Sequence, residues 1–77
     1  MTVYKKAKDI GVGDVINVGL LQNCRGGEVL NRVARIRVES KGRNKGEVRF
    51  YEKRWMSDRV DLFHYARPNS MVPTEEG

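Results

Sequence analysis

The sequence predicts an all-β domain, and three observations carry that prediction. Ten valines and three isoleucines outnumber four leucines and three alanines, and stiff β-branched side chains suit a pleated sheet better than a helix. Gly, Asn, Ser and Pro interrupt the chain at short intervals, leaving apolar stretches too short and too regularly alternating for helices. Seventy-seven residues make one core, because chains divide into separate cores only well above this length. Several short strands with no helix to cover them hide their apolar face chiefly by curling the sheet on itself, which gives a small barrel.

Each element follows from local pattern. Val12-Gly13-Asp14 reads as a turn into a first strand from Val15 to Leu21, with Ile16, Val18 and Leu20 on one face. Gln22 to Glu28, containing Gly26 and Gly27, reads as a flexible loop. Leu30 to Glu39 has the clearest period of two: Ala34, Ile36 and Val38 share one face, and Val33, Arg35, Arg37 and Glu39 the other. Ser40 to Gly46 is a Gly- and Asn-rich turn, beyond which Val48 and Phe50 alternate with Arg49 and Tyr51, completing a hairpin. Trp55 to Asp58 is the next turn and Arg59 to Tyr65 the next strand. Ser70 to Val72 adds one short edge strand after Pro68 and Asn69. The expected domain covers residues 1–72, and residues 73–77 are expected to be a disordered acidic tail.

Four segments carry a family resemblance. They are Ala7-Lys8-Asp9-Ile10-Gly11-Val12-Gly13-Asp14-Val15-Ile16, Arg32-Val33-Ala34-Arg35-Ile36-Arg37-Val38, Val48-Arg49-Phe50-Tyr51, and Tyr65-Ala66-Arg67-Pro68-Asn69-Ser70-Met71-Val72. Over residues 5–72 the chain resembles small SH3-like β-barrel proteins encoded by actinobacterial phages. The resemblance implies a five-stranded antiparallel SH3-like barrel and a phage-encoded accessory protein. The family carries no agreed activity, so it implies no catalytic residue. The Gln22 to Glu28 loop and the aromatic-basic stretch around Trp55 depart from the family pattern.

Composition narrows the function classes. Residues 1–72 hold fifteen Lys and Arg against eight Asp and Glu, a net +7, and such a field attracts polyanions. The single cysteine, Cys24, forms no intrachain disulfide, which fits a reducing cytoplasm. The uncharged run Val15 to Cys24 is half of the ~20 residues a bilayer-spanning helix takes, and the Lys5-Lys6-Lys8 start leads into Asp9 rather than a signal-peptide apolar stretch. A cytoplasmic protein is expected, in the host cell if phage-encoded. With one His, one Cys and no clustered carboxylates, no enzyme activity, metal or cofactor is expected. Gly11-Val12-Gly13 is no dinucleotide fingerprint, since the sixth position is Ile16 and no helix follows.

The 32–54 segment concentrates the positive charge. Nine basic and three acidic residues give +6 in 23 residues, and strand alternation turns Arg35, Arg37 and Arg49 away from the apolar face. Lys41, Arg43 and Lys45 sit on a Gly-flanked turn whose backbone can approach a phosphate. Tyr51 shares the outward parity of Arg49. Register decides whether these cations are free. If Val38 pairs with Val48, Arg37 faces Arg49 and Glu39 faces Glu47, an arrangement an anionic ligand relieves. If Val38 pairs with Phe50, Glu39 faces Arg49 and Lys41 faces Glu47, and the face is an ordinary solvated one.

Two functional expectations follow. The first is a non-enzymatic nucleic-acid-binding protein that holds DNA or RNA phosphates, with little sequence preference, through Arg35, Arg37, Lys41, Arg43, Lys45 and Arg49, with Tyr51 contacting base or sugar. The second is a module that docks on an acidic host protein and modulates it, using Arg54 and the lone tryptophan, Trp55, as anchor. The plainer reading of Trp55 is closure of one end of the core, with Met56 and Met71 as fillers. His64 shares parity with Val60 and Leu62 and is expected near the core as a structural residue. Cys24 is expected to be an incidental surface thiol. Self-association through an edge strand is left open.

Overall fold

The computed structural model describes residues 1–21 and 29–76. The expectations for the loop around Cys24 lie outside the described residues. Among those residues the strands are β1 (Thr2–Lys6), β2 (Val15–Asn17), β3 (Leu30–Arg32), β4 (Arg35–Val38), β5 (Val48–Lys53), β6 (Val60–Ala66) and β7 (Met71–Glu75). A 3₁₀ turn occupies Ala7–Asp9 and a four-residue helix, α1, Val18–Leu21. Two antiparallel sheets result, one ordered β1-β7-β2-β3 and the other β4-β5-β6. The chain is all-β, but its strands form two sheets rather than the expected closed five-stranded barrel.

The cause lies at Val33-Ala34. The segment expected as one strand changes partner there: the Val33 amide donates to the Asp14 carbonyl, and the next amide, Ala34, to the Tyr51 carbonyl, both at 2.8 Å. One half of the segment therefore joins each sheet. The bend also overturns the expected faces, burying Val33 at 1% exposure while leaving Ala34 and Val38 exposed. Ile36 keeps its inward position opposite Phe50.

Side-chain caps and edge pairing explain the other differences. The strand expected to reach Leu21 stops at Asn17, whose Oδ1 accepts the Leu20 amide at 3.2 Å and so caps the start of α1. Leu20 is exposed and Val18 buried as a result. The opening Thr2-Val3-Tyr4 forms β1, an element the reading of this stretch as a charge cluster passed over. Its partner is β7, with Thr2 opposite Glu75 and Lys6 opposite Met71. Because β7 also pairs with β2, it is an interior strand of its sheet, which corrects both the expected edge strand and the expected loose tail. Pro73 and Thr74 are buried. The β2 ladder covers only Thr74 and Glu75, leaving Pro73, which has no amide to donate, outside it.

Between the sheets lies a core of Ala7, Ile10, Ile16, Val18, Val33, Val48, Phe50 and Val72. Burying each large member contributes about 1.5–3 kcal/mol. The buried polar groups are satisfied: Thr74 Oγ1 donates to the Val3 carbonyl at 2.8 Å, and Asn17 Nδ2 to Glu75 Oε1 at 3.1 Å. Asn31 donates to Glu52, tying the two sheets together. Met71 is 53% exposed rather than a core filler.

Candidate nucleic-acid interface

The basic hairpin is β4 and β5 with the turn between them. Its register sets Arg35 opposite Tyr51, Ile36 opposite Phe50, Arg37 opposite Arg49 and Val38 opposite Val48. Of the two registers the sequence allows, this one puts like charges side by side. The turn is tightly built: the Glu39 amide donates to the Glu47 carbonyl at 3.0 Å and the Gly46 amide to the Glu39 carbonyl at 2.7 Å. Gly42 and Gly46 take φ of 82° and 89°, the left-handed region that glycine enters without steric penalty.

The facing like charges are neutralised by one another. Glu47 Oε1 accepts Arg49 Nε at 2.9 Å, while Glu39 Oε1 lies 3.2 Å from Arg49 Nη1 and 3.6 Å from Arg37 Nε. The hydrogen bond to Glu47, then the charge of Glu39, hold the Arg49 guanidinium more firmly protonated than usual. Two arginines and two glutamates thus cancel. The expected uncompensated stripe along the strands is corrected at Arg37 and Arg49.

The positive charge without a counterpart lies beside this network. Arg35, Lys41, Arg43 and Lys45 are exposed, and among the described residues none has a carboxylate within 4.0 Å. The turn is also buttressed from behind. Arg67 Nη1 donates to the Lys45 carbonyl at 3.2 Å, and Pro68 stands next to Gly46. The Lys8 amide donates to the Pro68 carbonyl at 3.0 Å, so the exposed Lys8 and Arg67 join the turn at the same end of the molecule. Sequence reasoning missed these two cations because only the fold brings them to residues 41–45.

Along β5 the outward row continues with aromatic side chains. Arg49 is opposite Tyr65, and Tyr51 opposite Leu62. Tyr65 is 59% exposed. A bulge alters the expected faces further along β6: Phe50 faces His64 but Tyr51 faces Leu62, so Phe63 is an extra residue and the parity of β6 reverses across it. Leu62 is therefore exposed, while His64 stacks on Phe50 at 6.1 Å between ring centroids and on Tyr65 at 6.4 Å. Burial pushes the His64 imidazole below its ordinary value.

Beyond β5, the turn 54–59 carries the tryptophan. The Arg54 amide donates to the Arg59 carbonyl at 2.9 Å, the Ser57 amide to the Arg54 carbonyl at 3.2 Å, and the Arg59 amide to Ser57 Oγ at 3.1 Å. This ordered turn displays Trp55 at 88% and Met56 at 85% exposure. The plainer reading, which set both at the end of the core, is corrected. Met56 holds φ of 56°, a strained conformation for a side-chain-bearing residue. Arg54 lies beside Asp61 at 4.0 Å.

Among the described residues no three His, Cys, Asp or Glu side chains gather as a metal site, and no helix is long and apolar enough to cross a membrane. Comparison with family models, curated proteins and solved structures finds no match for this chain.

Proposed function

We propose that this chain is a non-enzymatic nucleic-acid-binding accessory protein of SH3-like, phage-encoded type. It grips phosphates with Lys41, Arg43 and Lys45 on the β4–β5 turn, assisted by Arg35, with Tyr51 against base or sugar. The observation that carries the reading is the set of exposed turn cations without carboxylate partners among the described residues, on a glycine-built loop whose backbone can come close to an anion. Arg37 and Arg49 act mainly by holding the hairpin together with Glu39 and Glu47. Phosphate contacts position a protein without reading sequence, so base preference is weak.

Titration of fluorescent DNA and RNA oligonucleotides at increasing salt tests the reading. Four phosphate contacts give a log-log slope of roughly −3 to −3.5. Absence of binding at low salt overturns it. The exposure of Trp55 favours a second reading, a module docking on an acidic protein with Trp55 as the buried anchor and Arg54 beside it. One stoichiometric partner from nuclease-treated lysate, lost in Trp55→Ala and retained in a variant with the turn cations replaced, supports that reading over the first.

A further inference from the structure

A duplex hides the faces of its bases, whereas a single strand offers them to any exposed aromatic ring. The outer side of the β4-β5-β6 sheet and its two turns carry both kinds of group such a strand uses. At one end stand Lys41, Arg43 and Lys45. Along β5 comes Tyr51, with Tyr65 on the neighbouring strand two pairs away. At the other end stands Trp55, among the exposed cations Lys53, Arg54 and Arg59. At ~3.3 Å per residue, β5 separates the two turns by about 20 Å. That distance falls within a footprint of roughly 4–16 nucleotides, typical of small β domains on single strands.

Three further observations favour stacking. Cancellation of Arg37 and Arg49 by Glu39 and Glu47 leaves the part of this face next to the 41–45 turn close to neutral, so between that turn and Arg35 a ligand gains little from charge. A ring, Tyr65, is exposed there at 59%, and Trp55 at 88% stands at the far end. The ladder bonds of β5 on both sides also make the face one of a three-stranded sheet, broader than the free two-stranded ribbon that enters a major groove. Trp55 also sits on a turn closed by the Arg54–Arg59 hydrogen bond and is 88% exposed there.

Resting on the nucleic-acid reading above, we infer that the ligand is single-stranded, with phosphates at the 41–45 turn and unpaired bases stacked on Tyr51, Tyr65 and, at the far end, Trp55. Stacking tolerates any base, which agrees with weak sequence preference.

Trp55 is the only tryptophan, so its emission reports directly on the proposed contact. The protein is titrated with an oligothymidine of about 12 nucleotides, with a duplex of the same length, and with anionic vesicles. The expected result is saturable quenching of Trp55 by the single strand and binding at least tenfold tighter than to the duplex. Trp55→Ala weakens single-strand binding roughly five- to a hundredfold, leaves duplex binding unchanged and keeps the melting temperature, while Trp55→Phe retains most of the affinity. Equal binding of both nucleic acids with unquenched Trp55 overturns this inference and leaves the phosphate-binding reading standing. Binding of neither removes both, and a blue shift on vesicles alone assigns the tip to a membrane surface instead.

Discussion

The two sheets use their charged groups in opposite ways. In β1-β7-β2-β3, the ends of the chain meet and bring opposite charges together. Lys5 lies 3.8 Å from Asp14 and 3.2 Å from Glu76, and Glu75 accepts from Thr2 and Asn17 beside the amino terminus. In β4-β5-β6, Glu39 and Glu47 hold Arg37 and Arg49, Glu52 accepts from Asn31 and Asp61 lies beside Arg54, but the cations of the adjoining 41–45 turn have no such partner among the described residues. The molecule's net positive charge is therefore an average over a neutral half and a half with surplus cations. Composition alone gives the surplus, and pairing decides where it lies.

Ending the chain at Val72 should have the largest effect. It removes Pro73, Thr74 and Glu75 from an interior strand and leaves β1 and β2 without most of their shared partner, so the protein should lose its cooperative thermal transition by circular dichroism. A truncated chain that melts like the full one would show that the first sheet does not depend on its paired ends. Next in size is Phe50→Ala, which empties the centre of the core and should cost about 3–5 kcal/mol in urea unfolding.

Glu39→Gln probes the other half. It releases Arg37 and leaves Arg49 held by Glu47 alone, and oligonucleotide affinity should rise severalfold while stability falls by about 0.5–1 kcal/mol or less. Unchanged affinity would mean that charge released on the strands is not within the ligand's reach. A smaller effect comes from pH. With its folded value pushed below 6.5 by burial, His64 is neutral in the native protein while the unfolded chain takes up the proton first. That stability is present above pH 6.5 and is lost as pH falls toward the lowered folded value. His64→Phe should flatten stability in this window, as read by melts from pH 7 to 5. Glu75 behaves likewise at lower pH: hydrogen bonds from Thr2 and Asn17 hold its folded value below 4.5, so its contribution is lost as pH drops beneath that point.

Local pattern foretold the hairpin, its turns and the buried pair Val48 and Phe50, because each depends on neighbours in sequence. What it could not foretell depends on long-range pairing. The bend at Val33 arises from partners at Asp14 and Tyr51. The fate of residues 73–75 depends on β1, more than sixty residues away. A signal for β1 was present in Thr2-Val3-Tyr4 but was masked by the lysines that follow. Asn17 likewise carried the cap of α1 within a stretch that otherwise alternates as a strand does. At the candidate site, the residue types were legible but the balance of charge was not. One register brought Arg37 and Arg49 together and supplied the two glutamates that neutralise them, while the bulge at Phe63 exposed Leu62 and left His64 inward beside Phe50, as its parity predicts.

Parallel salt titrations of oligonucleotide binding for the native chain and for a variant with Lys41, Arg43 and Lys45 all changed to Gln test the central claim most directly. The native slope should be about −3 and the variant's about −1, since only Arg35 keeps its phosphate. Equal slopes, with both proteins folded, would contradict the claim that the 41–45 turn is where the unpaired positive charge meets its ligand.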